Sequence, residues 1–191
     1  MDIVIQTEKS SLKLIKHNYK ELIEKIIEEI QGKLKVKPEI IVYGKVCNQN
    51  RNIAFYSNDS IGYHYSNRLL RSKPLTDNLQ ILLNNINEKF NSDFNGILIN
   101  QYMNGSDYIG AHSDDETNLG EIGVVALSYG CQRNFRVRNK NNKKIVANVD
   151  TKEDEILIMD GDFQKEFTHE IPMQKKIKGM RYSFTFRKHT I

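Results

Sequence analysis

Apolar residues recur at helical spacing twice in the first half of the chain and at strand spacing through most of the second. "HNYKELIEKIIEEIQGK" sets Tyr19, Leu22, Ile23, Ile26, Ile27 and Ile30 on one side of a helix that Gly32 would stop. "TDNLQILLNNINEKF" repeats the pattern with Leu79, Leu82, Leu83, Ile86 and Phe90. Thr76 is placed to cap that second helix, and Asp77 suits its positive end. From Gly96 the period falls to two. "GILINQYM", "IGVVALSYG", "RNFRVRNK", "KKIVANV", "DEILIMDG", "EFTHEIP" and "RYSFTFRKH" each read as a short strand bounded by turn residues. An unbroken run of strands predicts a sandwich or barrel, with the two helices covering one sheet. There is no internal repeat and no Pro/Gly/Ser linker, so residues 1–191 are read as one α+β domain.

Composition narrows this picture only a little. At 191 residues the chain can build a real core, and 39% hydrophobic with 27% charged residues is ordinary for a globular protein. No run approaches the roughly 20 apolar residues of a membrane span. "MDIVIQTEKS" has an acid after Met1 and too short an apolar run for a secretion signal, so an intracellular, non-secreted protein is expected. Two cysteines, Cys47 and Cys131, make neither a disulfide framework nor a thiolate metal cluster, and are read as reduced and structural. A net charge of +4 permits nucleic-acid binding without demanding it.

Candidate chemistry begins at "GAHSDDE". In extended backbone His112 and Asp114, two apart, point to one side. His169, on a late strand, is a possible third ligand. Two His and one carboxylate are the ligand set of non-haem Fe(II) oxygenases, whose open positions admit a cosubstrate and O2. Alone, H-x-D is common by chance and in a loop is usually solvated. The tail shifts the balance. Arg181 and Arg187 share one face of a strand, and Asn100 and Tyr102 share one face of another. Arg suits bidentate carboxylate recognition, and an amide and a phenol add neutral donors. A dicarboxylate beside a metal would need such a set.

Taken together, "NQYMNGSDYIGAHSDDE", "VVALSYGCQRNFRVRNK", "EILIMDGDFQKEFTHEIP" and "RYSFTFRKH" resemble the AlkB family of Fe(II)/2-oxoglutarate dioxygenases, in its nucleic-acid-repair branch. The likeness covers Asn100 to His189 and extends upstream through "KPEIIVYG" and "GYHYSN". It implies a double-stranded β-helix (jelly-roll) core over residues 96–191, preceded over 1–95 by N-terminal helices and a nucleotide-recognition lid. It implies Fe(II) on His112, Asp114 and His169. It places 2-oxoglutarate on Asn100, Tyr102, Arg181, Thr185 and Arg187, with Arg181 at the distal carboxylate and Arg187 toward the metal. The implied reaction is oxidative demethylation of 1-methyladenine and 3-methylcytosine in DNA or RNA. It consumes 2-oxoglutarate and O2, releases succinate and formaldehyde, and is aided in vitro by ascorbate. A protein or small-molecule hydroxylase is the alternative, since fold does not fix substrate.

On the substrate side the resemblance implies base contacts from Tyr63 and Tyr65, with Tyr65 stacking opposite the His112 ring, and from the acids Asp115 and Glu116. Alternating aromatics also mark an ordinary half-buried strand, and the acids also suit a solvated loop. Lys140, Lys143, Lys144, Lys175, Lys176 and Lys178, on two basic turns, are either phosphate contacts or solvated. Gln31 stands near where duplex-acting relatives carry a hydrophobic finger, with Leu34 as a substitute. A single-stranded substrate and a monomeric enzyme are therefore expected.

Overall fold

In the computed structural model, which describes residues 1–42, 44–65, 68–114 and 122–189, both apolar stripes are helices and all seven alternating runs are strands. In chain order the elements are β1 (Asp2–Gln6), β2 (Ser10–Lys16), α1 (Lys20–Ile30), β3 (Glu39–Val42), β4 (Lys45–Asn48), β5 (Asn52–Tyr56), β6 (Gly62–Tyr65) and β7 (Arg68–Arg71). Then come α2 (Asp77–Phe90), β8 (Gly96–Tyr102), β9 (Ile109–His112), β10 (Val124–Gly130), β11 (Arg133–Asn139), β12 (Ile145–Thr151), β13 (Glu155–Gly161), α3 (Phe163–Glu166), β14 (Phe167–Ile171) and β15 (Arg181–Arg187).

The strands form a seven-stranded sheet ordered β1-β2-β13-β10-β15-β8-β5 and a four-stranded sheet ordered β12-β11-β14-β9. From β8 to β15 the chain crosses repeatedly between the two, which makes the expected double-stranded β-helix. The large sheet also crosses residue 95. β2 pairs with β13 along its whole length and β5 pairs with β8, so the N-terminal part contributes strands as well as helices.

Alternation along the central strands builds both layers of the core. On one side of the large sheet Ile97, Ile99, Val125, Leu127, Phe184 and Phe186 pack under Ile23, Ile26 and Ile30 of α1 and Leu79, Leu82 and Ile86 of α2. Each such side chain, fully buried, contributes about 1.5–3 kcal/mol. Thr76 caps α2 by accepting a hydrogen bond from the Leu79 amide (3.3 Å), and its hydroxyl donates to Glu29 of α1. Gly32 follows α1 with φ +72°, a conformation that costs glycine little. The other side of the large sheet faces the small sheet across Tyr102, Val124, Leu157, Met159, Phe135 and Val137. Arg136 and Arg138, alternating with those last two, point outward to Glu170.

Candidate active site

Strand register brings the sequence-predicted ligands together. β9 and β14 pair with His112 directly opposite His169, and the ring centroids are 4.4 Å apart. The backbone then leaves the sheet. Ser113 Oγ donates to the Phe167 carbonyl (2.8 Å), and the Asp114 amide donates to Gln164 Oε1 (2.9 Å), which turns the Asp114 carboxylate inward. Its Oδ1 lies 3.9 Å from His112 Nε2 and its Oδ2 3.7 Å from His169 Nε2. All three ligand atoms fall within 4.8 Å of one another.

Charge and hydrogen bonding suit these groups to a divalent metal. Burial drops His112 below the usual imidazole range, and burial with the neighbouring His112 brings His169 down to about 3. Both rings are neutral at pH 7 and keep a lone pair. His112 Nδ1 lies 2.9 Å from the Gly110 carbonyl; that contact requires Nδ1–H and leaves Nε2 to bind. His169 Nδ1 has no hydrogen-bond partner among the described residues. Phe135, stacked at 5.1 Å, orients that ring by packing instead. Burial alone would raise the Asp114 carboxyl, but Arg187 and the two imidazoles draw it down to about 2. With the rings neutral, Arg187 is the charge that acts at pH 7; its Nη2 stands 3.1 Å from Asp114 Oδ1.

The wall opposite is polar on one face of three strands. Across β8, β15 and β10, Tyr102 lies opposite Arg181; Asn100 lies opposite Ser183, which faces Ser128; and Leu98 lies opposite Thr185, which faces Ala126. Together with Arg187 and the ligand triad these side chains line one pocket. Asn100 Oδ1 accepts from Arg51 Nε (2.7 Å), so the Asn100 amide has N–H to offer elsewhere. Arg181 is 3% exposed. It donates through Nη2 to Ser128 Oγ (2.8 Å) and lies 5.4 Å from the Tyr102 ring centroid. Its Nε and Nη1 are buried without a hydrogen-bond partner among the described residues. Burial lowers it to about 10, so it remains a cation at pH 7. A buried guanidinium with two unanswered donors fits a carboxylate, which accepts from both.

Tyr63, on the two-stranded lid β6–β7, is buried against Phe55 and His189 and lies 5.2 Å beneath the Arg187 guanidinium. The Tyr65 side chain, Asp115 and Glu116 lie outside the described residues. The two lysine turns are not brought together. Lys140, Lys143 and Lys144 sit at the Phe167 end of β14, where Ser113 and Asp114 leave the sheet. Lys175, Lys176 and Lys178 sit past the other end of β14, on a turn whose Ile177 carbonyl accepts from Gly105. Neither finger residue stands at the pocket. Gln31 caps α1 and is exposed, and Leu34 packs against the helix-side core. Val42 and Val46 are exposed on the β3–β4 hairpin.

Three functional residues escape sequence reading: Arg51, Ser128 and Gln164, which hold Asn100, Arg181 and Asp114 in place. A charge abutting the apolar run "NIAFY" is the only local sign of Arg51.

Residues 14–187 match the 2OG-Fe(II) oxygenase superfamily. The chain is 29% identical over 174 residues to human DNA oxidative demethylase ALKBH2, covering 87% of this chain and 66% of that protein. It is 33% identical over 149 residues to human alpha-ketoglutarate-dependent dioxygenase alkB homolog 3, covering 73% of this chain and 51% of that one. This chain therefore spans less than two thirds of either relative. A prolyl hydroxylase from Trichoplax adhaerens shares the fold at a TM-score of 0.58 and 12% identity, covering 92% of this chain and 82% of that one.

Proposed function

The chain belongs to the 2OG-Fe(II) oxygenase superfamily, on its AlkB-like side, and from that membership we propose that it demethylates N-alkylated bases of DNA or RNA oxidatively, 1-methyladenine and 3-methylcytosine first among them. The observation that carries the reading is the pairing of the His112–Asp114–His169 cluster with a buried, under-bonded Arg181 in one pocket. Its cofactors are Fe(II), 2-oxoglutarate and O2. Bound together they supply the oxidation: one oxygen atom enters the N-methyl group, the other leaves in succinate beside CO2, and the hydroxymethylated base releases formaldehyde.

The chain's own residues bind, orient and shield. His112 and His169 offer neutral nitrogen and Asp114 offers charge, a set that satisfies a divalent metal on one side only. Arg181 would hold the far carboxylate of 2-oxoglutarate through its unpaired donors, beside Tyr102. Asn100 donates its amide N–H, Thr185 lines the same wall, and Arg187 stands at the metal end. Leu98, Phe135, Leu157 and Met159 give the pocket an apolar lining around them. A base inside a duplex cannot reach this depth, so it must be flipped or single-stranded. Tyr63 lines the pocket, and it and Tyr65 are the candidate aromatic contacts for the base. Asp115 and Glu116 follow the metal pair and suit the positive charge and exocyclic amine of both lesions. Lys140, Lys143 and Lys144, with Lys175, Lys176 and Lys178, are the phosphate candidates. We favour single-stranded polymers and a monomeric enzyme. No described helix is long and apolar enough to cross a membrane.

The test is mass spectrometry of oligonucleotides carrying 1-methyladenine or 3-methylcytosine as single-stranded DNA, duplex DNA and RNA. The expected result is loss of one methyl mass that requires both Fe(II) and 2-oxoglutarate. Succinate released with no methyl lost from any polymer would overturn the nucleic-acid reading.

A further inference from the structure

Beside the catalytic pocket, on the other side of Tyr63, lies a groove of about 340 Å³ between the β3–β4 hairpin and the β6–β7 lid. Its floor is apolar, made by Ile53 and Leu70, and Tyr63 is a wall shared with the catalytic pocket. Lys35 and Arg68 stand on its rim, and Glu39 is the one acid there among the described residues. Gln49 lines the groove while only 4% exposed, and its Oε1 accepts no hydrogen bond among the described residues. A buried amide oxygen without a donor is unfavourable, and a ligand N–H would answer it.

We infer that this groove is a second base subsite, which takes the nucleotide adjacent to the methylated one on the same strand. The inference rests on the proposed nucleic-acid substrate and deepens it. Four observations select this occupant. The shared Tyr63 wall puts the groove one side chain from the target pocket, the reach of a neighbouring nucleotide. An aromatic wall over an aliphatic floor suits the face of a base, the usual platform for single strands. A lone buried acceptor suits an exocyclic amine or ring N–H on the base edge. Two cations among its lining residues, Lys35 and Arg68, suit the linking phosphate. Lys35 is also anchored, since its backbone exchanges both hydrogen bonds with Ile53 (2.8 and 2.9 Å).

The experiment uses short single strands with 1-methyladenine flanked, on one side at a time, by adenine, by unsubstituted purine or by an abasic residue. Purine keeps the stacking face and has no N–H. Binding is read by fluorescence anisotropy without 2-oxoglutarate, and turnover is read separately. On one side of the lesion, adenine is expected to bind about tenfold tighter than purine, the size of one hydrogen bond to a buried acceptor. The abasic strand should be weaker still. Gln49→Met keeps the length of the side chain and removes the acceptor. It should erase the adenine preference while leaving turnover of the purine-flanked strand unchanged, which also certifies the fold. Arg68→Ala should weaken all flanks alike. Equal binding of adenine and purine on both sides, or a preference that survives Gln49→Met, would overturn the inference. Flank-blind demethylation would sink the groove and keep the proposed reaction. A Gln49-dependent preference without methyl loss would keep the groove and sink the reaction.

Discussion

His169 lies on β14, hydrogen-bonded to β11 on one side and β9 on the other, and Arg181 and Arg187 lie on β15 between β10 and β8. Tyr63 and Arg68 lie on a hairpin of two four-residue strands with no third strand paired to it among the described residues. In the first region, registers across paired strands position the functional atoms, and ligands from distant parts of the chain meet without adjustment. In the second, position depends on a small apolar cluster of Tyr63 and Leu70 with Ile53, Phe55 and Leu98. The contrast teaches where chemistry and selectivity can be separated. Changes between the sheets should act on the reaction itself, and changes on the rim should act on which polymer is held.

The sharpest way to break this contrast is Asp114→Ala. It removes a ligand and the anionic partner of Arg187 together. Succinate formation should fall by more than about 100-fold, since even residues that merely support a ligand give 10–100-fold. Activity near the parent level would mean that the metal sits elsewhere. Arg181→Ala comes next. A 2-oxoglutarate carboxylate left without its buried partner should cost about 2–5 kcal/mol, read as a raised KM for 2-oxoglutarate with a smaller change in kcat. Arg181→Lys should not restore it, because one ammonium cannot reproduce the two parallel donors. An unchanged KM would take Arg181 out of the cosubstrate site.

A third prediction concerns the metal itself. Mn(II) added to the protein without 2-oxoglutarate should raise the melting temperature, by about 2.7 kcal/mol of stability at a hundred times its Kd. His169→Ala should remove most of that rise. The same stabilisation in the His169 variant would separate the metal from the triad.

How much of this was legible in the sequence also follows the contrast. H-x-D, the distant His and the two arginines on one strand face could be read because local spacing carries them. The period-two runs located the strands but not their neighbours. β1, β2 and β5 went unassigned because their place in the large sheet depends on β13 and β8, far along the chain. Arg51, Ser128 and Gln164 were invisible for the same reason. Each acts on a group that lies 49, 53 or 50 residues away, and only the folded register joins them.

The smallest predicted effect tests the rim alone. Each basic turn carries three of the candidate lysines, and the two sit at opposite ends of β14, so charge alone does not tell them apart. If a strand enters over His112 and Tyr63, the turn with Lys140, Lys143 and Lys144 borders its path, because Ser113 and Asp114 leave the sheet at that end. The turn with Lys175, Lys176 and Lys178 lies toward Arg181 and Met180, at the closed end. Replacing the first three lysines by Gln should flatten the log–log dependence of single-strand binding on salt by about one unit for each phosphate that is no longer neutralised. Replacing the second three should leave the slope where it was, and neither set should change kcat. Equal flattening by both would mean that the polymer wraps the small sheet from end to end, and the rim would then extend well beyond the lid.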